Sequence, residues 1–206
     1  TPKPSSAASD VYKRQEGKQV GLYKGSYALV IGVSDYTNGW PDLPGVDEDL
    51  NAVGEALEQI GFLVYKIINH NSKQLEEAFN GFISKHGYDK DNRLLIYFAG
   101  HGYTIAPKYG GTEMGYIVPS NAPNPNFNEQ EFLRVGLSMQ NIEVYARNIQ
   151  SKHALFVFDS CFSGSIFSLS RAIPQIIQEK TNRPVRQFIT AGRANQTVPD
   201  VSIFRR

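Results

Sequence analysis

The chain contains a single cysteine, Cys161, which lies just beyond an apolar run typical of a buried strand. His101 occupies the corresponding place after another such run. A thiol alone is a modest nucleophile near neutral pH, and a neighbouring imidazole can stabilise its thiolate or take its proton. Glycines flank the histidine on both sides, and the backbone N–H groups of Gly102 and Cys161 could hold a developing oxyanion. The pattern indicates nucleophilic chemistry, with Cys161 as nucleophile and His101 as acid and base.

Other roles for these residues stay open at this point. A lone cysteine is most often a small buried hydrophobe, and a histidine among glycines is often a turn residue. Ser160 or Ser163 could instead serve as the nucleophile of another hydrolase, but neither lies in the G-x-S-x-G motif typical of such a serine. We expect structural roles for the remaining histidines, which are His70, His86 and His153.

The elements that must position this pair alternate along the chain. Short continuous apolar runs predict strands buried on both faces, at residues 27–33, 62–68, 94–99, 154–158 and 185–190. Apolar residues at helical spacing predict helices at 46–60, 75–83 and 142–149, with Ser138 as an N-cap for the last. Residues 103–136 are rich in Gly, Pro and Asn and predict loops with one strand at 116–118.

This alternation indicates an α/β fold with a mostly parallel sheet and helices on both of its faces. In such folds ligands bind beyond the carboxyl ends of the strands. Both His101 and Cys161 fall at that edge, as does the Ser34-Asp35 pair.

Composition excludes several classes of protein. The 206 residues are 41% hydrophobic and 20% charged, which suits one soluble globular domain. No apolar run is long enough to span a membrane, and one cysteine allows neither an internal disulfide nor a multi-cysteine metal site. The formal net charge is +1 without a block of basic residues, which argues against a nucleic-acid or membrane-surface partner. P-loop and H-E-x-x-H motifs and a complete G-x-G-x-x-G motif are absent.

The first fifteen residues are set apart from the rest. Ser5 to Gln15 reproduces the translation of a transposase-type sequencing adaptor, and the alternative is a natural disordered arm. We predict a non-native segment at 1–15 and one domain over 16–206 that is truncated at both ends. The compartment stays open, with the cytoplasm favoured.

Two motifs resemble the catalytic motifs of the caspase-like cysteine peptidases, most closely those of metacaspases and bacterial orthocaspases. They are FAGHG at 98–102 and FDSCFSG at 158–164, and weaker agreement is found at 27–33, 43–49, 115–119 and 188–192. The resemblance extends from about Ser26 to the end of the chain. It implies a caspase-haemoglobinase-like three-layer sandwich, in which a dyad of His101 and Cys161 hydrolyses peptide bonds through a thioester.

The resemblance also implies a specificity. Leu43 replaces an arginine that binds the substrate aspartate in caspases, so cleavage after Asp is not expected. Metacaspases cleave after Arg or Lys with two aspartates, whose motif positions here are Asp49 and Asp159. Two carboxylates in a narrow pocket would hold a guanidinium and exclude an acidic side chain. The alternative for Asp49 is a charge that complements the dipole of a helix in its first turn.

Several positions depart from the family's patterns. Phe162 stands where many metacaspases have His or Tyr, and Asn121 where relatives often have Asp. Calcium stays open as an activator because many metacaspases need it, although its acidic cluster does not map onto this chain; no other cofactor or metal is expected. An EF-hand-like run beginning at Asp47 is rejected, since its glycine position is Ala52 and helical periodicity continues through it.

Relatives mature by self-cleavage, and the polar loop after the nucleophile carries basic residues. The candidate cleavage sites are Lys180, Arg183 and Arg186, and the alternative is a solvated linker. The expected partners are proteins or peptides with Arg or Lys before the scissile bond. A catalytically silent caspase-like interaction module is the alternative to an enzyme. It is disfavoured because silent members typically lose the histidine or the cysteine.

Overall fold

The structure is a computed structural model that describes residues 23–160 and 185–190, together with the backbone of residues 12–15 and 18–21. In chain order the elements are β1 (Tyr12–Gln15), β2 (Lys18–Gly21), β3 (Gly25–Gly32), α1 (Val46–Gln59), β4 (Leu63–Ile68), α2 (Ser72–Phe82), β5 (Asn92–Ala99), β6 (Gly102–Ile105), β7 (Met114–Ile117), α3 (Pro125–Val135), β8 (Leu137–Ser138), α4 (Met139–Asn148), β9 (His153–Asp159) and β10 (Val185–Thr190). A single turn of π-helix at 83–87 continues α2.

Five strands form a parallel sheet in the order β10-β9-β5-β3-β4, which confirms the predicted strands and their parallel arrangement. The register places Ala99 opposite Gly32 on one side and opposite Asp159 on the other. The carboxyl ends of the three central strands are therefore level. Residues that follow these strands meet at one edge of the sheet.

Helices cover the sheet on both faces, as the three-layer sandwich requires. Alternate residues of the central strands point to opposite faces, so each strand contributes to two separate cores. Helix α1 packs on one face, over a cluster that includes Ala28, Val30, Tyr97 and Ala99. Helices α2 and α4 pack on the other face, over the larger cluster that includes Leu29, Ile31, Ile96, Phe98 and Phe156.

The segment between β5 and α4 contains more structure than the sequence predicts. A small antiparallel sheet of β6, β7 and β8 lies here, and helix α3 follows β7. The sequence of α3 does not indicate a helix, because it begins with a proline, Pro125. The backbone is also non-helical at Asn128, so the helix is interrupted. Its stability comes from packing, since Phe132 and Val135 are buried in the larger core. The predicted N-cap of α4 is confirmed: the Ser138 hydroxyl accepts a hydrogen bond from the Asn141 N–H.

Ahead of the central sheet, β1 and β2 pair as an antiparallel hairpin. Strand β1 falls within residues 1–15, whose adaptor-like origin stays a prediction. Across the part of the chain that the structure describes, no helix is both long and apolar enough to cross a bilayer.

Candidate active site

His101 follows β5 at the carboxyl edge of the sheet, and its side chain is held from one side. Its Nε2 lies 2.8 Å from the backbone carbonyl oxygen of Pro41. Because a carbonyl can only accept, Nε2 carries the ring proton, and in the neutral imidazole Nδ1 is then the basic nitrogen. The hydrogen bond fixes both the tautomer and the ring orientation. A fixed ring orientation is one of the conditions for proton transfer by a histidine.

The loop after β3 forms a cradle around this histidine. The Tyr36 hydroxyl accepts a hydrogen bond from the backbone N–H of His101 at 2.8 Å. The ring centroids of Tyr36 and Trp40 lie 4.7 Å and 5.1 Å from the centroid of the imidazole. Asp42 closes the loop, since its carboxylate accepts the Tyr36 N–H at 2.9 Å. Burial raises the pKa of Tyr36, so the phenol stays neutral. The sequence does not single out these three residues, although the strand-end rule points to the adjacent Ser34-Asp35.

A glycine is needed at position 100 because the Tyr36 side chain packs closely against the backbone at the end of β5. A Cβ at this position would lie 2.9 Å from the Tyr36 hydroxyl and 3.0 Å from the Phe98 ring. Both distances are shorter than a normal carbon contact, so a larger residue would displace the phenol. Gly100 therefore lets Tyr36 reach the backbone of His101.

The backbone N–H of Gly102 points away from the small antiparallel sheet. The His101 carbonyl accepts a hydrogen bond from the Val118 N–H, and the peptide bond between His101 and Gly102 is trans. A trans peptide directs its C=O and N–H to opposite sides. The Gly102 N–H is thus outside the β6–β7 ladder, as an oxyanion donor would have to be.

Asp49 and Asp159 lie close together on the α1 face of the same edge. Asp159 ends β9, and Asp49 lies in the first turn of α1. The neighbours of Asp49 in that turn, Asp47 and Glu48, are exposed, whereas Asp49 is only 8% exposed. Its Oδ1 is buried without a hydrogen-bond partner among residues 23–160 and 185–190. A charge that merely complements the helix dipole has no need of this burial.

The surroundings of Asp159 alter its ionisation. Burial raises the pKa of Asp159, and the negative charge of Asp49 raises it further. A hydrogen bond from the Tyr97 hydroxyl to Asp159 Oδ2, 3.2 Å long, acts in the opposite direction. Asp49 and Asp159 therefore form a partly dehydrated, negatively charged site at the carboxyl edge of the sheet, where His101 also lies. Such a site favours a cation and repels an anion.

Comparison with known proteins gives the family. The model of the peptidase C14 caspase domain matches residues 26–200. This chain belongs to the caspase-domain family. The caspase domain is a domain of cysteine peptidases, and its caspase-haemoglobinase three-layer fold agrees with the layers described above. A search of curated proteins finds no match.

A solved structure supports the fold of this caspase domain independently. The crystal structure of protein GSU0716 from Geobacter sulfurreducens superposes with a TM-score of 0.53 at 14% sequence identity. The match covers 68% of this chain and 52% of that one, so the chain spans about half the length of this relative. At this identity the likeness shows the fold alone.

Other predicted site residues of the caspase domain lie elsewhere or outside the described residues. Cys161, Lys180 and Arg183 lie outside them. Arg186 lies near the start of β10, opposite Ala154 and thus at the end of the sheet away from His101. Its guanidinium donates to the backbone carbonyls of Ala146, Lys152, Val185 and Ile149, and burial lowers its pKa.

The remaining histidines of the caspase domain lie within local networks. His86 is buried, stacks on Tyr27 at 3.8 Å and contacts the Tyr65 hydroxyl at 3.0 Å, and burial lowers its pKa to about 4. His153 contacts the Tyr23 hydroxyl, and the His70 ring contacts a backbone carbonyl. Within the described ranges, no group of three or more His, Cys, Asp or Glu residues is arranged to hold a metal ion.

Proposed function

We propose that this caspase domain is a cysteine endopeptidase that cleaves after Arg or Lys, with Cys161 as nucleophile and His101 as general acid and base. The observation that carries the proposal is the pair of the buried Asp49 and the half-buried Asp159 at the sheet edge where His101 lies. The pair supports a cationic substrate residue, and the tautomer of His101 supports proton transfer at Nδ1. The chemistry has two halves, formation of a thioester and its hydrolysis.

In the first step, Nδ1 of His101 takes the proton from the Cys161 thiol, and the thiolate attacks the carbonyl carbon of the scissile bond. The Pro41 carbonyl stabilises the resulting imidazolium through Nε2–H. The N–H groups of Gly102 and Cys161 hold the oxygen that gains negative charge. Collapse of this intermediate breaks the C–N bond. His101 protonates the departing amine, and a thioester remains.

In the second half of the reaction, water hydrolyses the thioester. His101 is neutral again at this point and takes a proton from the attacking water. The second tetrahedral intermediate expels the Cys161 thiolate, which regains a proton from the imidazolium. The peptide acid leaves, and both side chains return to their starting states.

Specificity would come from Asp49 and Asp159 acting together. A guanidinium or ammonium between them would compensate the negative charge of Asp49, which raises the pKa of Asp159. An aspartate side chain would add a third negative charge to a partly dehydrated site. Leu43, at the position of a substrate-binding arginine in caspases, offers no positive charge to offset it.

The resemblance of the motifs extends the proposal. We propose that the domain spans residues 16–206 and that it is closest to metacaspases and bacterial orthocaspases. Maturation by self-cleavage would use the basic residues after the nucleophile. The proposed cleavage sites are Lys180 and Arg183. Arg186 is disfavoured, because its guanidinium donates hydrogen bonds to backbone carbonyls that include those of Ala146 and Val185.

The test is a panel of fluorogenic peptides ending in Arg, Lys, Asp or Leu, assayed with and without added calcium. The full chain is compared with Cys161→Ala and with Ser163→Ala, which keeps the thiol and removes a nearby hydroxyl. Cleavage after Arg and Lys that disappears only in Cys161→Ala is the expected result. A calcium requirement would add an activator without changing the dyad.

Each other outcome contradicts a named part of the proposal. Cleavage after Asp removes the specificity role of Asp49 and Asp159 and leaves the thiol in place. Activity that survives Cys161→Ala but not Ser163→Ala indicates a serine hydrolase. No cleavage of any peptide by the folded chain indicates the silent interaction module.

A further inference from the structure

Tyr97 is a buried tyrosine whose hydroxyl lies at the proposed specificity pocket. It is 2% exposed on β5, and its ring packs in the α1-side core. A buried phenol needs a hydrogen-bond partner for its polar end. Within the described residues that partner is Asp159, whose Oδ2 accepts the hydroxyl at 3.2 Å. The sequence gives Tyr97 no role, because by pattern it is one apolar position of a buried strand.

The sheet register explains how this contact arises. Tyr97 pairs with Val157 across the β5–β9 ladder, and Ala99 pairs with Asp159. Tyr97 and Asp159 are therefore diagonal neighbours on the same face, two positions apart along the strands, within reach of a long aromatic side chain. Because Tyr97 belongs to a central strand, its ring cannot move without disturbing the core. The hydroxyl is a rigid donor, whereas a surface serine or water would not be.

We infer that Tyr97 is a positioning residue that holds one oxygen of the Asp159 carboxylate, so that the other oxygen faces the cationic side chain of the substrate. The inference rests on the proposed function, since it names what orients one carboxylate of that pocket. Tyr97 itself does not contact the substrate. It acts through Asp159, in the way that a residue behind a ligand fixes the ligand's direction.

The electrostatics of the site give Tyr97 a second effect through the same bond. Among residues 23–160 and 185–190, the groups that face Asp159 from the packed elements are the Asp49 carboxylate from α1 and the Tyr97 hydroxyl from β5. The first raises the pKa of Asp159, and the second lowers it. Removing the hydroxyl leaves burial and the Asp49 charge unopposed. Asp159 would then take up a proton at a higher pH and lose its attraction for a cation.

The kinetic test compares the full-length wild type with Tyr97→Phe, which keeps the ring and removes the donor. KM for an Arg peptide should rise about five- to tenfold with little change in kcat, because a hydrogen bond to a charged group is lost. The acid limb of kcat/KM should move to higher pH. Tyr145→Phe is the matched control: Tyr145 is also a buried tyrosine, and it stacks on Phe79 on the opposite face of the sheet. It should leave KM and the pH profile unchanged.

Coupling between the two residues is measured in the background of Asp159→Asn. If Tyr97 acts through Asp159, adding Tyr97→Phe to Asp159→Asn should leave KM unchanged from that of Asp159→Asn alone. Equal effects of Tyr97→Phe in both backgrounds would overturn the inference, because they would indicate a general effect on the core.

A direct readout separates this inference from the proposed function. The ¹³C signal of the Asp159 carboxyl is titrated by NMR, with Asp159→Asn used for its assignment. Tyr97→Phe should raise the titration midpoint, and Tyr145→Phe should not. An unchanged midpoint overturns the inference whatever the activity. Failure of the wild type to cleave after Arg or Lys, with a shifted midpoint, overturns the specificity proposal but confirms that Tyr97 controls the carboxylate.

Discussion

The hydroxyl oxygen of Tyr36 lies 2.8 Å from the backbone nitrogen of His101 and accepts its N–H. This bond ties the loop after β3 to the end of β5, two segments far apart in sequence. The same loop supplies the Pro41 carbonyl that binds the imidazole, so backbone and side chain of His101 are held by one unit. The position of the histidine therefore depends on how closely Tyr36 can approach Gly100.

Gly100→Ala should disrupt this arrangement. The new Cβ would lie 2.9 Å from the Tyr36 hydroxyl, and relieving that clash displaces either the phenol or the histidine. We expect a loss of about 1–3 kcal/mol in the free energy of unfolding and a fall in kcat of at least about tenfold. Urea unfolding and peptide hydrolysis measure the two effects. Gly81→Ala is the control, because Gly81 lies in α2 with nothing within 4 Å of its Cβ position. The free energy of unfolding of Gly81→Ala should rise by about 0.5–1 kcal/mol, and its activity should stay unchanged.

Asp159→Asn should raise the stability of the domain at neutral pH and lower its peptidase activity. The pKa of Asp159 is raised in the folded protein, so its stabilising contribution is present below its ordinary pKa and is lost as pH rises through the folded value. A neutral asparagine removes that loss. The variant should melt at a higher temperature than the wild type at pH 7, and the difference should shrink toward pH 3.

Activity should change in the opposite direction in the same variant. Asp159→Asn should lower kcat/KM for Arg peptides at least about thirtyfold, since a half-buried charge partner of the substrate is removed. Asp47→Asn is the matched control in the exposed part of the first turn of α1. Asp47→Asn should lower the free energy of unfolding by about 0.3–1 kcal/mol, because a negative charge near the positive end of the helix dipole is lost. KM should stay unchanged. A stability loss in Asp159→Asn at neutral pH would contradict the raised pKa of the Asp159 carboxyl.

The buried His86 should make the domain sensitive to mild acid. Its pKa is about 4 when folded, against about 6.5 in an unfolded chain. A depressed histidine pKa means that the unfolded state binds the proton first, so stability falls as pH decreases from about 6.5 toward about 4. The slope from this residue is at most about 1.4 kcal/mol per pH unit. His153, whose pKa burial also lowers, adds to it.

The measurement is the urea midpoint as a function of pH in His86→Gln. The substitution should lower stability at pH 7, because the stack on Tyr27 is lost, and should flatten the decline between pH 6.5 and pH 4.5. His70→Gln, at a histidine whose ring contacts a carbonyl two residues away, should leave the slope as in the wild type. Parallel curves for wild type and His86→Gln would show that other groups dominate acid unfolding.

Arg186→Ala should loosen β10 without preventing self-cleavage. The guanidinium connects the start of this strand to carbonyls at the end of α4, including those of Ala146 and Ile149. Leaving these carbonyls without a donor should cost about 2 kcal/mol in the free energy of unfolding. Arg186→Lys should recover little, because an ammonium cannot reproduce the planar fork. Gln187→Ala, at the exposed neighbouring position, is the control.

Processing is followed on the same variants by mass spectrometry of the cleaved chain. Arg186→Ala should still be cut, whereas a combined Lys180→Ala and Arg183→Ala variant should remain intact. A fragment ending at Arg186 in the wild type would show that this strand separates from the sheet before cleavage.

The sequence predicts most of the sheet because strands that are buried on both faces consist of continuous apolar residues, which can be recognised along the chain. The run at 185–190 matches β10 residue for residue, and the run at 154–158 falls one residue short of β9 at each end. Helix α3 does not follow from the sequence. Its proline, its asparagines and its interrupted backbone give no helical period, and its formation depends on the burial of Phe132.

The candidate site divides in the same way. Motif spacing and the strand-end rule suffice to select His101, because chemistry restricts which residue types can serve. Asp49 and Asp159 are selected as pocket residues by the resemblance to metacaspases. Nothing in the sequence places Tyr36 against His101 or Tyr97 against Asp159, since these contacts join residues more than sixty positions apart. A tyrosine in an apolar run has the same pattern whether its hydroxyl meets a carboxylate or another donor or acceptor.

The amino-acid sequence by itself determined the five strands of the central sheet, the helices α1, α2 and α4, the family to which the chain belongs and the residue types at the edge of the sheet. Periodicity and local motifs are properties of neighbouring residues, and they can be read along the chain. Only the tertiary structure decided the tautomer of His101, the burial of Asp49 and the partner of Tyr97. Protonation and orientation depend on distances, on excluded water and on charges brought together from different elements, and folding alone sets these.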